Sequence, residues 1–140
     1  MKSIKNTSHF IVFPEHCNNH KELIFGGAFM AEMDKTAANC SRLLLRANPY
    51  KAFGSVTHKC SFVFHMPSYV GDHLEIETEA VVTGVKSITI TVKTYRLDPY
   101  SNAHRDFIAE GELVFITIDE PKLLEKHPKF LPYIEHGIKE

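Results

Sequence analysis

The absences in this sequence narrow the problem first. Only three of 140 residues are cysteine, Cys17, Cys40 and Cys60. They are odd in number, widely spaced and form no C-x-x-C pair, so they read as reduced thiols and give a disulfide framework or a structural zinc site little support. No apolar run is long enough for a transmembrane helix, and the first ten residues, MKSIKNTSHF, lack the apolar stretch of a signal peptide. Charge of one sign is missing too. Sixteen basic and seventeen acidic side chains leave a net charge of −1, and no basic stripe offers a nucleic acid a footing. The expectation is a cytoplasmic protein with neither membrane nor nucleic acid as a partner. With no internal repeat, linker or low-complexity stretch, residues 1–140 are read as one domain with a polar, proline-broken tail from about 121.

What is present is ordinary globular material, 44% hydrophobic and 24% charged. His9 to Phe13 (HFIVF) reads as a short strand stopped by Pro14, and Glu15 to Glu22 as a polar turn. From about Phe25 the period changes. Met30, Met33, Ala37, Ser41 and Leu44 recur at steps of three and four, while Glu32, Lys35, Asn39, Arg42 and Arg46 occupy the opposite face. The spacing predicts a helix from about Gly27 to Ala47, stopped by Asn48-Pro49 and roughly 30 Å long.

The remainder has a period of two. Ser55 to Phe64 places Val56, Cys60, Phe62 and Phe64 on one face, and Pro67 to Asp72 is a turn. His73 to Val82 sets Leu74, Ile76, Thr78, Ala80 and Val82 against His73, Glu75, Glu77 and Glu79. After a turn at Gly84, Ser87 to Tyr95 sets Ile88, Ile90 and Val92 against Thr89, Thr91 and Lys93. Phe107 to Ile118 ends apolar on both faces, as a central strand does. Consecutive strands with short connections pair antiparallel. One sheet face must cover an apolar stripe, and the helix carries the only long one. The fold class is therefore α+β, a long helix wrapped by a five-stranded antiparallel sheet.

Asp34 does not fit this pattern. It lies four residues after Met30 and four before Ala38, on the apolar stripe, where an unpaired carboxylate is costly. Two readings stand side by side. One is a partly exposed Asp at the edge of the stripe, or one paired with a base of a partner subunit. The other is a catalytic carboxylate made more basic by desolvation. At the helix start, Phe25-Gly26-Gly27 is either a glycine turn feeding the helix or an oxyanion site made of unpaired helix N–H groups.

The run Asn19-x₄-Ile24-Phe25-Gly26-Gly27-x₆-Asp34 resembles the signature of hotdog-fold acyl-CoA hydrolases, the bacterial YciA-like and cytosolic acyl-CoA thioesterase group. The resemblance continues in Phe64-x₂-Pro67-x₂-Val70-Gly71-Asp72, in Gly84-x₂-Ser87, and in Ala109 ahead of Leu113-Val114-Phe115 and Asp119. It implies a hotdog fold and hydrolysis of acyl-CoA to fatty acid and coenzyme A in a homodimer or a hexamer of three dimers, with no cofactor beyond the coenzyme A of the substrate. It further implies that Asp34 activates water or attacks the thioester. Asn19 of the other subunit then orients water or carbonyl, and the N–H of Gly27 or a neighbour holds the oxyanion. Phe25 and Gly26 are expected at the substrate, and Gly84, Lys86 and Ser87 at coenzyme A. Two departures, Glu22 where the family carries Gly and a Val56–Phe64 stretch about one residue short, fall at the entrance of the acyl pocket.

Other features yield less. Ser87 after a turn is most simply solvated, and Lys59, Lys86, Lys93, Arg96 and Arg105 read as a solvated face before they read as phosphate ligands. His16 and His20 flank Cys17 four residues apart, but in a loop with no third ligand, so no metal is expected. His65 is a candidate base for a hydratase or dehydratase, the alternative enzyme class, without that class's motif around it. A non-catalytic acyl-CoA-binding protein is the other alternative, and the carboxylate of Asp34 argues against it.

Overall fold

The structure, a computed structural model, describes residues 2–17, 22–47 and 52–119. The elements run β1 (Ser3–Ile11), a short 3₁₀ turn (Pro14–His16), α1 (Gly26–Arg46), β2 (Ala52–Phe64), β3 (His73–Val82), β4 (Ser87–Leu97) and β5 (His104–Asp119). The expected helix stop at Asn48-Pro49 and the tail from about 121 lie outside the described residues. β1 is longer than HFIVF. It begins at Ser3 because an edge strand with one solvated face tolerates the polar alternation Lys5, Thr7, His9, with Ser3 opposite Val81 and Ile11 opposite His73.

All strand pairs are antiparallel, in the order β1-β3-β4-β5-β2. Consecutive pairing holds for β3-β4 and β4-β5 but not for β2-β3. The connection 65–72 is too long for a hairpin turn and carries Pro67 and a left-handed Gly71 (φ 90°). It crosses the end of the sheet, so β2 pairs with β5 and closes the far edge. Arg96 braces this crossing. Its guanidinium donates to Asp72 Oδ2 (3.0 Å), Asp106 Oδ2 (2.9 Å) and the Pro67 carbonyl (3.2 Å). Burial alone would lower the Arg96 pKa, but the two carboxylates outweigh it and hold it up. Arg96 is thus a structural clamp and not part of a solvated basic face.

The core lies between α1 and the inner sheet face. Leu74, Ile76 and Ala80 of β3, Ile88, Ile90 and Val92 of β4, and Leu113 and Phe115 of β5 bury against Phe29, Met33, Ala37, Cys40 and Leu44. Gly111 makes room for Phe62, whose ring a Cβ there would approach to 2.4 Å. Buried Ser41 is satisfied by Ser55 (Oγ–Oγ 2.6 Å).

Two expectations about facing are corrected. Met30 points outward, 36% exposed, and Phe29 at 1% takes its place in the core. The two residues are 100° apart on the helix and both apolar, so periodicity at that point does not separate them. In β2 the register shifts between Thr57 and Lys59. The extra residue reverses the alternation, so Cys60, Phe62 and Phe64 lie opposite inward β5 residues while Val56 turns outward. Ser55 and Thr57 face the helix instead.

Candidate functional site

The helix begins on an extended N-cap, Phe25, with no side-chain cap. Its position is set by Phe25 N–H donating to the His16 carbonyl (2.7 Å) and Ile24 N–H donating to the Ser68 carbonyl (2.9 Å). The first intrahelical bond is Phe29 N–H to the Phe25 carbonyl. The N–H groups of Gly26, Gly27 and Ala28 therefore precede the helical ladder and carry its partial positive charge. A Cβ on Gly27 would come within 2.7 Å of the Phe25 ring, whereas one on Gly26 would meet nothing within 4 Å. Gly27 is glycine so that Phe25 can fold back over it, and Gly26 leaves open backbone. Beside Gly26 lies a cleft of about 300 Å³, lined mainly by Ile24, Phe29, Phe64, Met66 and Pro67.

Asp34 sits two turns further along α1. It is half-buried, and its Oδ1 accepts a hydrogen bond from Thr57 Oγ1 (2.9 Å). Its neighbours at i−4 and i+4, Met30 and Ala38, are exposed. In the single chain, then, Asp34 is at the edge of the apolar stripe and not within it. Sequence reasoning misses Thr57, because strict alternation puts Val56 on the inner face; only the β2 register shift turns Thr57 inward.

The remaining expected site residues do not gather in one chain. Asn19 and His20 lie outside the described residues. Gly84, Lys86 and Ser87 form the β3–β4 turn, where the Ser87 carbonyl accepts from Thr83 N–H (3.0 Å) and Gly84 N–H (3.3 Å), and the Lys86 carbonyl from Thr117 N–H (2.9 Å). A Cβ on Gly84 would strike Ser87 Oγ at 2.5 Å. Ser87 pairs with Ile116, near the end of β5, whereas Phe64 at the cleft pairs with Ala109, near its start. The turn and the cleft are therefore at opposite ends of the sheet. Thr57 is opposite Phe115, which is opposite Ile88, so Asp34 is level with the Ser87 end. Gly27 and Asp34 are seven residues apart on one helix, about 10 Å along its axis. A single thioester carbon does not reach both from one chain.

His16 is engaged, its Nδ1 accepting from Phe13 N–H (2.9 Å) and its Nε2 3.6 Å from Glu32 Oε1. His65, at the rim of the cleft, bonds Glu110 of β5 (2.8 Å). Burial pushes the Cys40 thiol pKa up, which keeps it protonated and unreactive. Among the described residues no helix is long and apolar enough to cross a membrane.

A five-stranded antiparallel sheet curled around one helix, with a carboxylate midway along that helix, defines a hotdog-fold enzyme. The sequence profile of the thioesterase superfamily matches residues 22–103. The chain belongs to that superfamily, and at the level of the family its chemistry is thioester hydrolysis. Among solved structures it is similar to an acyl-CoA hydrolase of Staphylococcus aureus in complex with butyryl coenzyme A, coenzyme A and coenzyme A disulfide. That similarity is 29% identity over 84% of this chain and 67% of that one, with a TM-score of 0.69. An apo-hexameric acyl-CoA thioesterase is 26% identical over 84% of this chain and 71% of its own, at a TM-score of 0.69. A hexameric thioesterase of Yersinia pestis, 23% identical over 81% of this chain and 87% of its own at a TM-score of 0.68, shares the fold. No curated protein sequence matches the chain significantly.

Proposed function

We propose that this protein hydrolyses acyl-CoA thioesters at sites shared between two subunits, with Asp34 from one and the helix N-terminus of the other. The observation that carries this reading is the placement of Asp34. It is held by Thr57 on an outward helix face, about 10 Å from the N–H groups best suited to an oxyanion. Two such helices running antiparallel about a dyad bring each Asp34 beside the partner's Gly27, with exposed Met30 and Ala31 between them. Asn19 lies eight residues before Gly27 in sequence, and we assign it to the same composite site on the strength of the family resemblance.

The hydrolase of S. aureus supports the assignment. Alanine variants of it have been made at an aspartate, an asparagine and a threonine, and its aspartate follows its asparagine by 15 residues. Asp34 follows Asn19 by the same 15. Thr57, which touches Asp34 here, follows it by 23 residues, whereas the relative's threonine follows its aspartate by 17, so only the Asn–Asp pair matches in spacing.

In the reaction, Asp34 takes a proton from water as its oxygen bonds to the thioester carbon, and the Gly27 N–H receives the developing oxyanion. Collapse of the intermediate breaks the C–S bond, and the proton passes to the departing thiolate. Direct attack by Asp34, followed by hydrolysis of the anhydride, uses the same atoms. The apolar cleft at Gly26 takes the acyl group, with Phe25 at its mouth. Gly84, Lys86 and Ser87, at the end of the sheet level with Asp34, meet coenzyme A.

The β2 edge joins the dimer. It is long and shows Val56 and Val63 to solvent, whereas the β1 edge is polar. The hexameric relative suggests that such dimers assemble further, and the free cysteines suit a cytoplasmic setting.

The test is Asp34→Asn, assayed over acyl-CoA chain lengths with a thiol-reactive dye. The Thr57 bond survives the change, so stability should move by less than ~0.5 kcal/mol. The kcat should fall at least ~10²-fold with KM little changed. Full activity in this variant would remove Asp34 from the mechanism.

A further inference from the structure

The face of the sheet turned away from α1 carries a second set of chemistry-bearing side chains. Along β3, His73, Glu75, Glu77 and Glu79 point outward at every second position. His9 of β1 stands directly opposite Glu75. His104, from the start of β5, reaches across the neighbouring strand into the same place. Its Nε2 contacts the Glu75 carboxylate and lies 3.8 Å from Glu77 Oε1. His9 Nε2 lies 3.5 Å from Glu75 Oε1. Single ligand atoms of Glu75, Glu77 and His104 all fall within 4.8 Å of one another.

We propose that this cluster binds one divalent transition-metal ion of zinc type, with His104, Glu75 and Glu77 as ligands and His9 as the fourth. Three features carry the assignment. The first is spacing: donors around a tetrahedral zinc at ~2.0–2.1 Å stand about 3.3 Å apart, and the ligand atoms of His104, Glu75 and Glu77 already lie within 4.8 Å of one another, with His9 outside that trio but 3.5 Å from Glu75 Oε1.

The second is orientation. The His104 ring stacks on Tyr95 (centroids 4.0 Å apart, 9° between planes), and Tyr95 in turn packs on Phe107 (5.4 Å). His9 Nδ1 lies 3.2 Å from His73 Nε2, a hydrogen bond that fixes the His9 ring with its other nitrogen toward Glu75. Metal-ligating histidines are held in this way by an outer partner.

The third is charge. Glu75, Glu77 and Glu79 on alternate positions of one strand repel one another, and Lys5 reaches only the last of them, at 4.0 Å. A dication among the first two relieves that repulsion. Two imidazoles with two carboxylates favour zinc, cobalt or nickel over magnesium or calcium. The site ties β1, β3 and the start of β5 together on the face opposite Asp34, so its role is structural and not catalytic.

The competing reading is an ion-pair cluster around protonated histidines, and metal binding separates the two. The full chain, freed of metal by chelator and dialysis, is titrated with Zn²⁺ by calorimetry, with Co²⁺ absorption reporting geometry and thermal melting reporting stability. The expected result is one ion per chain, a tetrahedral cobalt spectrum, a Tm raised by zinc, and no competition from Mg²⁺. His104→Ala and Glu75→Gln should each weaken zinc binding by at least about tenfold while keeping the far-UV spectrum of the parent. His65→Ala, which removes the other His–Glu pair on this face, should bind as the parent does. Failure of the parent chain to bind zinc, or equal binding by His104→Ala, overturns the proposal.

Discussion

Two inactive variants, Asp34→Asn and Asn19→Ala, should restore each other when their subunits are mixed. The size of the recovery follows from the helix. Gly27 and Asp34 are about 10 Å apart on α1, so the proposed site takes its oxyanion donors from one chain and its carboxylate from the other, and Asn19 precedes Gly27 by eight residues. In a dimer formed from one chain of each variant, one site receives both substitutions and is doubly defective. The other combines native Asp34 with native Asn19. Random assortment at equal concentration makes half of the dimers mixed, each with one intact site of two, so the mixture should show about a quarter of the parent activity per chain. The assay is thiol release from acyl-CoA after subunit exchange in mild denaturant and its removal, with differently tagged variants to count the mixed dimers. Recovery is read above the mean of the two parent variants. A site contained within one chain predicts none, since every chain then carries a defect. Verified mixed dimers without recovery would refute the shared site and return Asn19 and Asp34 to one subunit.

Other consequences concern stability. Ile90 is fully buried against α1, and Ile90→Ala should cost ~2–5 kcal/mol in urea unfolding; a loss below ~0.5 kcal/mol would show that it does not pack in the core. Arg96→Met removes the cation shared by Asp72 and Asp106, whose side chains keep 21% and 23% of their exposure. Removing one partner of a fully buried pair costs ~3–5 kcal/mol, so about 2–4 kcal/mol is expected for this partly solvated one. Because Arg96 also holds the Pro67 carbonyl at the cleft, KM for acyl-CoA should rise as well. Arg96→Lys should recover only part of both effects, as an ammonium lacks the fork that spans two carboxylates.

Local pattern was enough to find the elements. The alternation from His73 to Val82 marked β3 to the residue, and the switch in period at Phe25 marked α1 to within one residue at each end; Asp34, read as lying on the apolar stripe, sits at its edge. Each rests on neighbours within a few positions, where periodicity carries the information. Strand order does not. That β2 joins β5 across the sheet depends on hydrogen bonds between residues far apart in sequence and on a connection too long to be a hairpin. One extra residue in β2 turned Thr57 toward Asp34, and nothing in a two-residue period announces such a slip. Phe29 and Met30 are both apolar, and packing alone chose which faces the sheet and which stays exposed. The histidines and glutamates of the outer face, 9, 75, 77 and 104, are scattered along the chain. Only the register of β1 on β3 and the return of β5 over Tyr95 bring them within reach of one another, because proximity across a sheet is set by tertiary pairing.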